Sequence, residues 1–127
     1  MSAPHAVSIS THVLDTARGA PAAGIEVTLE RVGKDGGASL VGGGRTDVDG
    51  RIPAMLGTSP GDASGVSDAG TVFRLRFATG AYLAASGRAA FYPEITIAFR
   101  ADPADARQHY HVPLLLNPFG YTTYRGS

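Results

Sequence analysis

Three histidines and two arginines are the side chains of this 127-residue chain best suited to chemistry. His109 and His111 are separated by one residue, so in a β-strand their side chains share a face. His12 lies in an earlier predicted strand, and Arg45 and Arg51 flank a predicted turn. Imidazole groups accept and return protons near neutral pH, and guanidinium groups offer paired donors to developing negative charge. If the strands are neighbours, this set indicates a functional cluster capable of acid–base chemistry.

The alternation of apolar residues predicts that these histidines point away from the core. In both histidine-bearing segments every second residue suits a core face, and the histidines occupy the alternate positions. The outer face of a sheet normally carries Lys, Glu or Thr, so imidazoles on two strands indicate a role other than solubility. The predicted core-facing residues are Val7, Ile9, Thr11 and Val13 in one strand and Tyr110, Val112, Leu114 and Leu116 in the other.

Short alternating segments recur along the chain between clusters drawn from 17 glycines and 8 prolines. This pattern is typical of an all-β sandwich or barrel. One short helix is predicted at residues 79–86, where Thr79 can cap the first turn and Gly87 can end the last. Strands are predicted at residues 6–15, 25–31, 39–45, 51–55, 71–78 and 94–101, followed by two strands at the chain's end that a Pro/Gly turn joins.

Two of the predicted connections have distinct compositions. The strands at residues 39–45 and 51–55 are expected to meet at a tight reversal, because Asp49-Gly50 supplies the positive φ that such a turn needs. Residues 57–70 contain almost no apolar side chain and are predicted to form a mobile surface loop or hairpin tip without function.

The composition limits both the class of protein and the kind of site. A chain of this length is expected to form one domain, residues 1–127. Eleven basic residues balance eleven acidic ones, so neither nucleic acid nor an anionic membrane is an expected partner. The absence of cysteine excludes a disulfide framework, a Cys-rich zinc site and a thiol nucleophile. With no signal or membrane-spanning segment visible, a cytoplasmic location is expected, although a targeting segment removed beforehand would not be visible.

Four motifs stand out along the chain. They are Thr11-His12-Val13-Leu14-Asp15, Asp49-Gly50-Arg51, His109-Tyr110-His111-Val112-Pro113 and the terminal Tyr124-Arg125-Gly126-Ser127. Together they resemble the motifs of the 5-hydroxyisourate hydrolases, the transthyretin-like enzymes of urate breakdown. The resemblance covers essentially the whole chain. It implies a transthyretin-like sandwich of two four-stranded sheets with one short helix, assembled as a homotetramer whose active sites lie between dimers.

The resemblance also implies a reaction and the residues that perform it. The reaction is hydrolysis of 5-hydroxyisourate to 2-oxo-4-hydroxy-4-carboxy-5-ureidoimidazoline, by histidine-assisted attack of water on a ring carbonyl. Neither a metal nor another cofactor is expected. The matching residues are His12, Arg51 and His111 as catalytic residues, with Tyr124, Arg45 and Ser127 joining His12 and Arg51 in substrate binding.

Three alternatives remain open from the sequence. His12, His109 and His111 could form a three-histidine zinc site of the catalytic kind. A small-ligand carrier on the transthyretin scaffold would bind in the same channel without turnover. A β-sandwich interaction module would not need the terminal motif.

Several other polar residues have structural interpretations. His109 is interpreted as a support or surface residue, and His5 as part of a frayed terminus. Asp15, Asp47 and Asp49 are expected to serve turns, where their side chains bond the local backbone. Tyr82 and Tyr121 are expected to contribute to packing.

Overall fold

The computed structural model describes residues 7–55, 70–102, 104–105 and 108–127. His5 and all of the predicted loop at residues 57–70 except Gly70 lie outside the described residues. The described elements are β1 (Ser8–Asp15), β2 (Ala20–Pro21), β3 (Glu26–Val32), β4 (Ala38–Arg45), β5 (Arg51–Ile52), β6 (Thr71–Phe77), α1 (Thr79–Ala85), β7 (Ile95–Ala101), β8 (His109–Asn117) and β9 (Gly120–Thr123).

The strands form two sheets. The first has the order β2-β1-β8-β9, with β5 also paired to β1, and the second has the order β4-β3-β6-β7. The predicted all-β sandwich with one short helix is confirmed for the described residues. The two-residue strand β2 was not predicted, and it adds a fifth strand to the first sheet.

The core lies between the two sheets, as the alternation predicts. All eight residues expected to face inward from β1 and β8 and their flanks are buried. The second sheet contributes alternate residues from β3, β6 and β7. Because alternate side chains of each strand point toward the core, a one-residue slip would exchange the core face for the outer face. The largest fully buried side chains include Ile9, Leu114, Leu29, Phe73, Leu75 and Phe77.

The pairing of β1 with β8 joins the two ends of the sequence. The strands are parallel, and the register sets Ser8 beside His109, Ser10 beside His111 and His12 beside Pro113. Strands that are distant in the sequence thus place their alternate, outward-facing residues on one surface.

The turn at residues 47–50 positions β5 against β1. The carboxylate of Asp47 accepts hydrogen bonds from the backbone N–H groups of Asp49 and Arg51, at 2.9 and 3.0 Å. Gly50 has φ +76°, and a Cβ atom there would lie 2.4 Å from the carbonyl oxygen of Val13, so the close approach requires glycine. The expectation that β4 and β5 meet as a pair is wrong, because β4 pairs with β3 while β5 crosses to β1.

The helix α1 is short and differs at its start from the prediction. Thr79 is its first residue rather than its cap, and the preceding Ala78 has no side chain that could cap it. Gly87 ends the helix as predicted, with φ +72° and its N–H donated to the carbonyl of Ala84. Within the part of the chain that the structure describes, no helix has the length and apolar character needed to cross a bilayer.

A buried carboxylate connects α1 and the segment after it to β1. Asp15 is fully buried, and its two oxygens accept hydrogen bonds from the guanidinium of Arg88 at 3.1 and 2.6 Å. The hydroxyl of Tyr82 and the backbone N–H of Arg18 also donate to it. Burial alone would raise the pKa of Asp15, but these hydrogen bonds outweigh it and lower that pKa below its ordinary value. Asp15 thus serves a turn, as expected, and an ion pair that was not predicted.

Replacing Asp15 with Asn should lower the free energy of unfolding by about 3 kcal/mol, because the Arg88 charge loses its buried partner. Because the pKa of Asp15 is lowered in the folded chain, its contribution is present at neutral pH and disappears as pH falls through that pKa. Urea denaturation of both proteins from neutral to acid pH tests this, and the difference in stability should shrink in acid.

Glu26→Gln is the matched control. Glu26 forms an ion pair with Arg45 at 3.1 Å, and both side chains are exposed, Glu26 by 68% and Arg45 by 63%. An exposed pair contributes less than about 1 kcal/mol. Equal losses in the two variants would contradict an anchoring role for the buried pair.

Candidate active site

His12 and Arg51 are brought together by the pairing of β5 with β1. The two residues are directly opposite one another in the antiparallel register. The turn at residues 47–50 fixes this position, since Arg51 donates its backbone N–H to Asp47 and Val13 donates its own to the carbonyl of Gly50. His12 is half-buried and Arg51 exposed. An imidazole and a guanidinium therefore stand side by side on the outer face of the first sheet.

His111 is held on that face from both sides. Its Nδ1 atom lies 2.8 Å from the hydroxyl oxygen of Ser10 on β1. On the opposite side, Gly126 forms an isolated β-bridge with His111 and donates its N–H to the His111 carbonyl at 2.8 Å. A Cβ atom at position 126 would lie 2.5 Å from Cδ2 of the His111 ring. The space for the imidazole thus depends on a glycine in the terminal motif.

The surroundings of His111 favour its neutral form by lowering its pKa. Burial lowers its pKa from the ordinary value of 6.5, and the positive charges of His12, His109 and Arg51 lower it further. His12, His109 and Arg51 thus all lower the pKa of the same imidazole, that of His111. A neutral imidazole at neutral pH has a lone pair free to accept a proton, as a general base requires.

His109 and Ser10 are part of this arrangement, although the sequence interpretation left His109 as support and did not select Ser10. The Nδ1 atom of His109 lies 2.5 Å from the hydroxyl of Ser8, and its Nε2 atom lies 3.5 Å from the hydroxyl of Ser10. The available signal was parity, since Ser8 and Ser10 share the outward face with His12.

The terminal motif approaches the cluster through its backbone more than through its side chains. Arg125 pairs with Asp105 at 2.6 Å and donates to the carbonyl of His109. Tyr124 is 57% exposed, and it borders a cavity of about 310 Å³ between β7 and the β8–β9 pair. Ser127 is exposed at the end of the chain. Within this single chain, and among the described residues, neither the Tyr124 nor the Ser127 side chain is hydrogen-bonded to the histidines.

Arg45 is placed apart from the other predicted site residues. It ends β4 in the second sheet, where its guanidinium bonds Glu26 and the carbonyl of Gly24. The structure therefore unites His12, Arg51 and His111 but does not bring Arg45 to them.

The zinc hypothesis has no matching geometry in the described ranges. Among residues 7–55, 70–102, 104–105 and 108–127, no three His, Cys, Asp or Glu side chains are arranged to hold a metal ion. Both ring nitrogens of His109 and the Nδ1 atom of His111 instead face serine hydroxyls.

Comparison with known proteins assigns the chain to a family. The model of the family described as "Transthyretin: HIUase/Transthyretin family" matches residues 9–126. This chain belongs to the HIUase/transthyretin family. The match includes His12, Arg51, His111 and the terminal motif through Gly126.

The similar proteins include ones named 5-hydroxyisourate hydrolase and solved transthyretins. The 5-hydroxyisourate hydrolase of Salmonella dublin is 42% identical over 122 residues, covering 94% of this chain and 80% of that protein. The solved 5-hydroxyisourate hydrolase of Klebsiella pneumoniae is 32% identical with a TM-score of 0.74, covering 94% of this chain and 99% of that one. Sea bream transthyretin in complex with thyroxine is 28% identical with a TM-score of 0.75, covering 93% of each chain. The predicted transthyretin-like fold is thus confirmed.

The pKa of His111 is expected to be below 6.5, and Arg51→Met should raise it, because one of the nearby positive charges is removed. Titration of the histidine ring signals by NMR measures this directly. Arg76→Met is the matched control, since that guanidinium is held by Glu94 in the second sheet, and it should leave the His111 titration unchanged. A His111 pKa at or above 6.5 in the unmodified protein would contradict the described environment.

Proposed function

We propose that this chain hydrolyses 5-hydroxyisourate to 2-oxo-4-hydroxy-4-carboxy-5-ureidoimidazoline, a step of urate degradation. One observation carries the proposal. The β1–β8 and β1–β5 registers place a neutral imidazole, His111, on the same surface as the His12–Arg51 pair. The relatives named 5-hydroxyisourate hydrolase support the choice of substrate.

In the proposed reaction, His111 is the general base. Its lowered pKa leaves the ring neutral, and among the described residues its Nε2 atom has no hydrogen-bond partner. Nε2 takes a proton from water as the water oxygen bonds to the ring carbonyl carbon. The ring carbon–nitrogen bond then breaks, the nitrogen gains a proton, and the former carbonyl carbon becomes a carboxylate. General acid–base assistance of this kind contributes about 10²–10⁴ in rate.

Arg51 and His12 complete the catalytic set. Arg51 is permanently cationic, so it stabilises the oxyanion that forms on the attacked carbonyl and orients the substrate's oxygens. A preorganised donor of this type contributes about 10²–10³ in rate. His12, directly opposite Arg51, orients the water or returns its proton to the leaving nitrogen.

Substrate binding is proposed to involve Tyr124, Arg45 and Ser127 as well, in an assembly of four chains with sites between dimers. The histidine-bearing face is open in the single chain, with His109 and Arg51 exposed. Tyr124 is also largely exposed, and a neighbouring chain could bring such residues to the substrate. We also place the activity in the cytoplasm, a location that the cysteine-free sequence permits.

A ligand carrier is the second candidate. The thyroxine complex of the structurally similar sea bream transthyretin is the observation that favours it. A carrier would not need a neutral imidazole beside a guanidinium, so the arrangement of His111, His12 and Arg51 favours the hydrolase.

The proposal predicts that the protein accelerates the decay of 5-hydroxyisourate that urate oxidase produces in the same cuvette. Ultraviolet absorbance follows the decay with and without the protein, and with a metal chelator added. Acceleration that survives the chelator is expected. Light scattering on the same sample reports the assembly state.

Three other outcomes of this assay would each overturn one part of the proposal. Saturable binding without acceleration, from a folded tetramer, would overturn the hydrolase in favour of the carrier. Acceleration lost only with the chelator would overturn the metal-free mechanism. A fully active monomer would overturn the placement of the site between dimers.

A further inference from the structure

Two serines and two histidines form a continuous polar row on the outer face of β1 and β8. The register alternates them, with Ser8 beside His109 and Ser10 beside His111. Ser8 contacts Nδ1 of His109 at 2.5 Å, Ser10 reaches Nε2 of His109 at 3.5 Å, and Ser10 contacts Nδ1 of His111 at 2.8 Å. The row runs from the exposed His109 to the half-buried His111.

Ser10 is the connection between the two imidazoles. It is buried, with 8% of its surface exposed, and its hydroxyl faces a ring nitrogen of each histidine. A hydroxyl has one proton to donate and lone pairs with which to accept, so it can accept from one imidazole while donating to the other. The 3.5 Å separation from His109 is the longer of the two contacts, so the stronger constraint is on His111.

Each contact in the row can be a hydrogen bond if the donors all point from His111 toward Ser8. Nδ1–H of His111 then donates to Ser10, Ser10 donates to Nε2 of His109, and Nδ1–H of His109 donates to Ser8. This direction leaves the Nε2 atom of His111 unprotonated, as a base requires. The opposite direction places a proton on Nε2 and removes the base.

We propose that Ser10 is a positioning residue that holds His111 with its proton on Nδ1, and that it passes the proton gained by His111 to His109 and from there to solvent. The inference rests on the proposed hydrolysis, in which His111 takes a proton from water. The inference gives Ser10 and His109 functional roles in addition to those proposed for His12, Arg51 and His111.

The transfer is balanced in protons. As Nε2 of His111 gains a proton, Nδ1 gives its proton to the oxygen of Ser10. The Ser10 hydroxyl releases its own proton to Nε2 of His109, which becomes an imidazolium and loses a proton to water. His111 is then neutral with its proton on Nε2, and the resting tautomer returns after product release, when Nε2 gives that proton to solvent and Nδ1 takes one back from solvent along the row. Hydrolysis that forms a carboxylate yields one proton in excess, because water supplies two protons and the leaving nitrogen takes one. The relay delivers that proton to the exposed end of the row.

The experiment compares Ser10→Ala with Ser10→Thr and the matched control Ser39→Ala, an exposed strand serine of the second sheet. Ser10→Ala should lower kcat/KM at least about tenfold and change its acid limb, because the proton on Nδ1 of His111 loses its acceptor. Ser10→Thr retains the hydroxyl and should recover most of the activity and the original pH profile. Ser39→Ala removes a hydroxyl outside the row and should leave kcat/KM and its pH profile close to those of the unmodified protein.

A second variant tests whether His109 accepts the proton that Ser10 releases. His109→Gln should lower kcat, and added imidazole buffer should restore it, since a free imidazole can accept the proton from Ser10. The unmodified enzyme should not respond to the buffer. No response in the variant would overturn the assignment of His109.

A measurement independent of turnover separates this inference from the proposed function. Nitrogen-15 NMR distinguishes the two neutral tautomers of His111, and the proton is expected on Nδ1 in the unmodified protein. A proton on Nε2 would overturn the role of Ser10 even in an active enzyme. Equal kcat/KM and pH profiles for Ser10→Ala and the unmodified enzyme would do the same. An unmodified protein without hydrolase activity would instead overturn the proposed function.

Discussion

The parallel pairing of β1 with β8 is the constraint on which the site depends. It joins segments about 100 residues apart in the chain and sets Ser10 beside His111 and His12 beside Pro113. Because side chains alternate along each strand, one register decides both which residues enter the core and which imidazoles share the outer face. Core packing of residues such as Ile9 and Leu114 therefore also fixes the positions of the chemical groups.

Two further features keep this arrangement in place by different physical means. The buried ion pair between Asp15 and Arg88 anchors the end of β1 to the segment that follows α1, and Tyr82 adds a hydrogen bond from the helix. Close backbone approach acts elsewhere, since Gly50 lies against β1 and Gly126 against the ring of His111. The first feature depends on charge and therefore on pH, whereas the second depends only on the absence of a side chain.

The sequence predicted the local features of the fold better than the long-range ones. Alternation is a local property, so it was sufficient to place His12, His109 and His111 outside the core. Strand pairing is not local, so the contact of Ser10 with His111 and the crossing of β5 to the first sheet could not be predicted from alternation. The partnership of Asp15 with a residue 73 positions later has the same origin. The reaction itself was predicted from motifs that resemble a family, not from alternation.

The turnover of His111→Asn tests the central claim most directly, because that imidazole is the group on which Ser10, Gly126 and the neighbouring charges converge. Asn keeps a polar side chain of similar reach but has no basic nitrogen. We expect kcat/KM for 5-hydroxyisourate to fall at least about a hundredfold while the free energy of unfolding and the assembly state stay unchanged. Near-normal turnover in a folded His111→Asn protein would contradict the account.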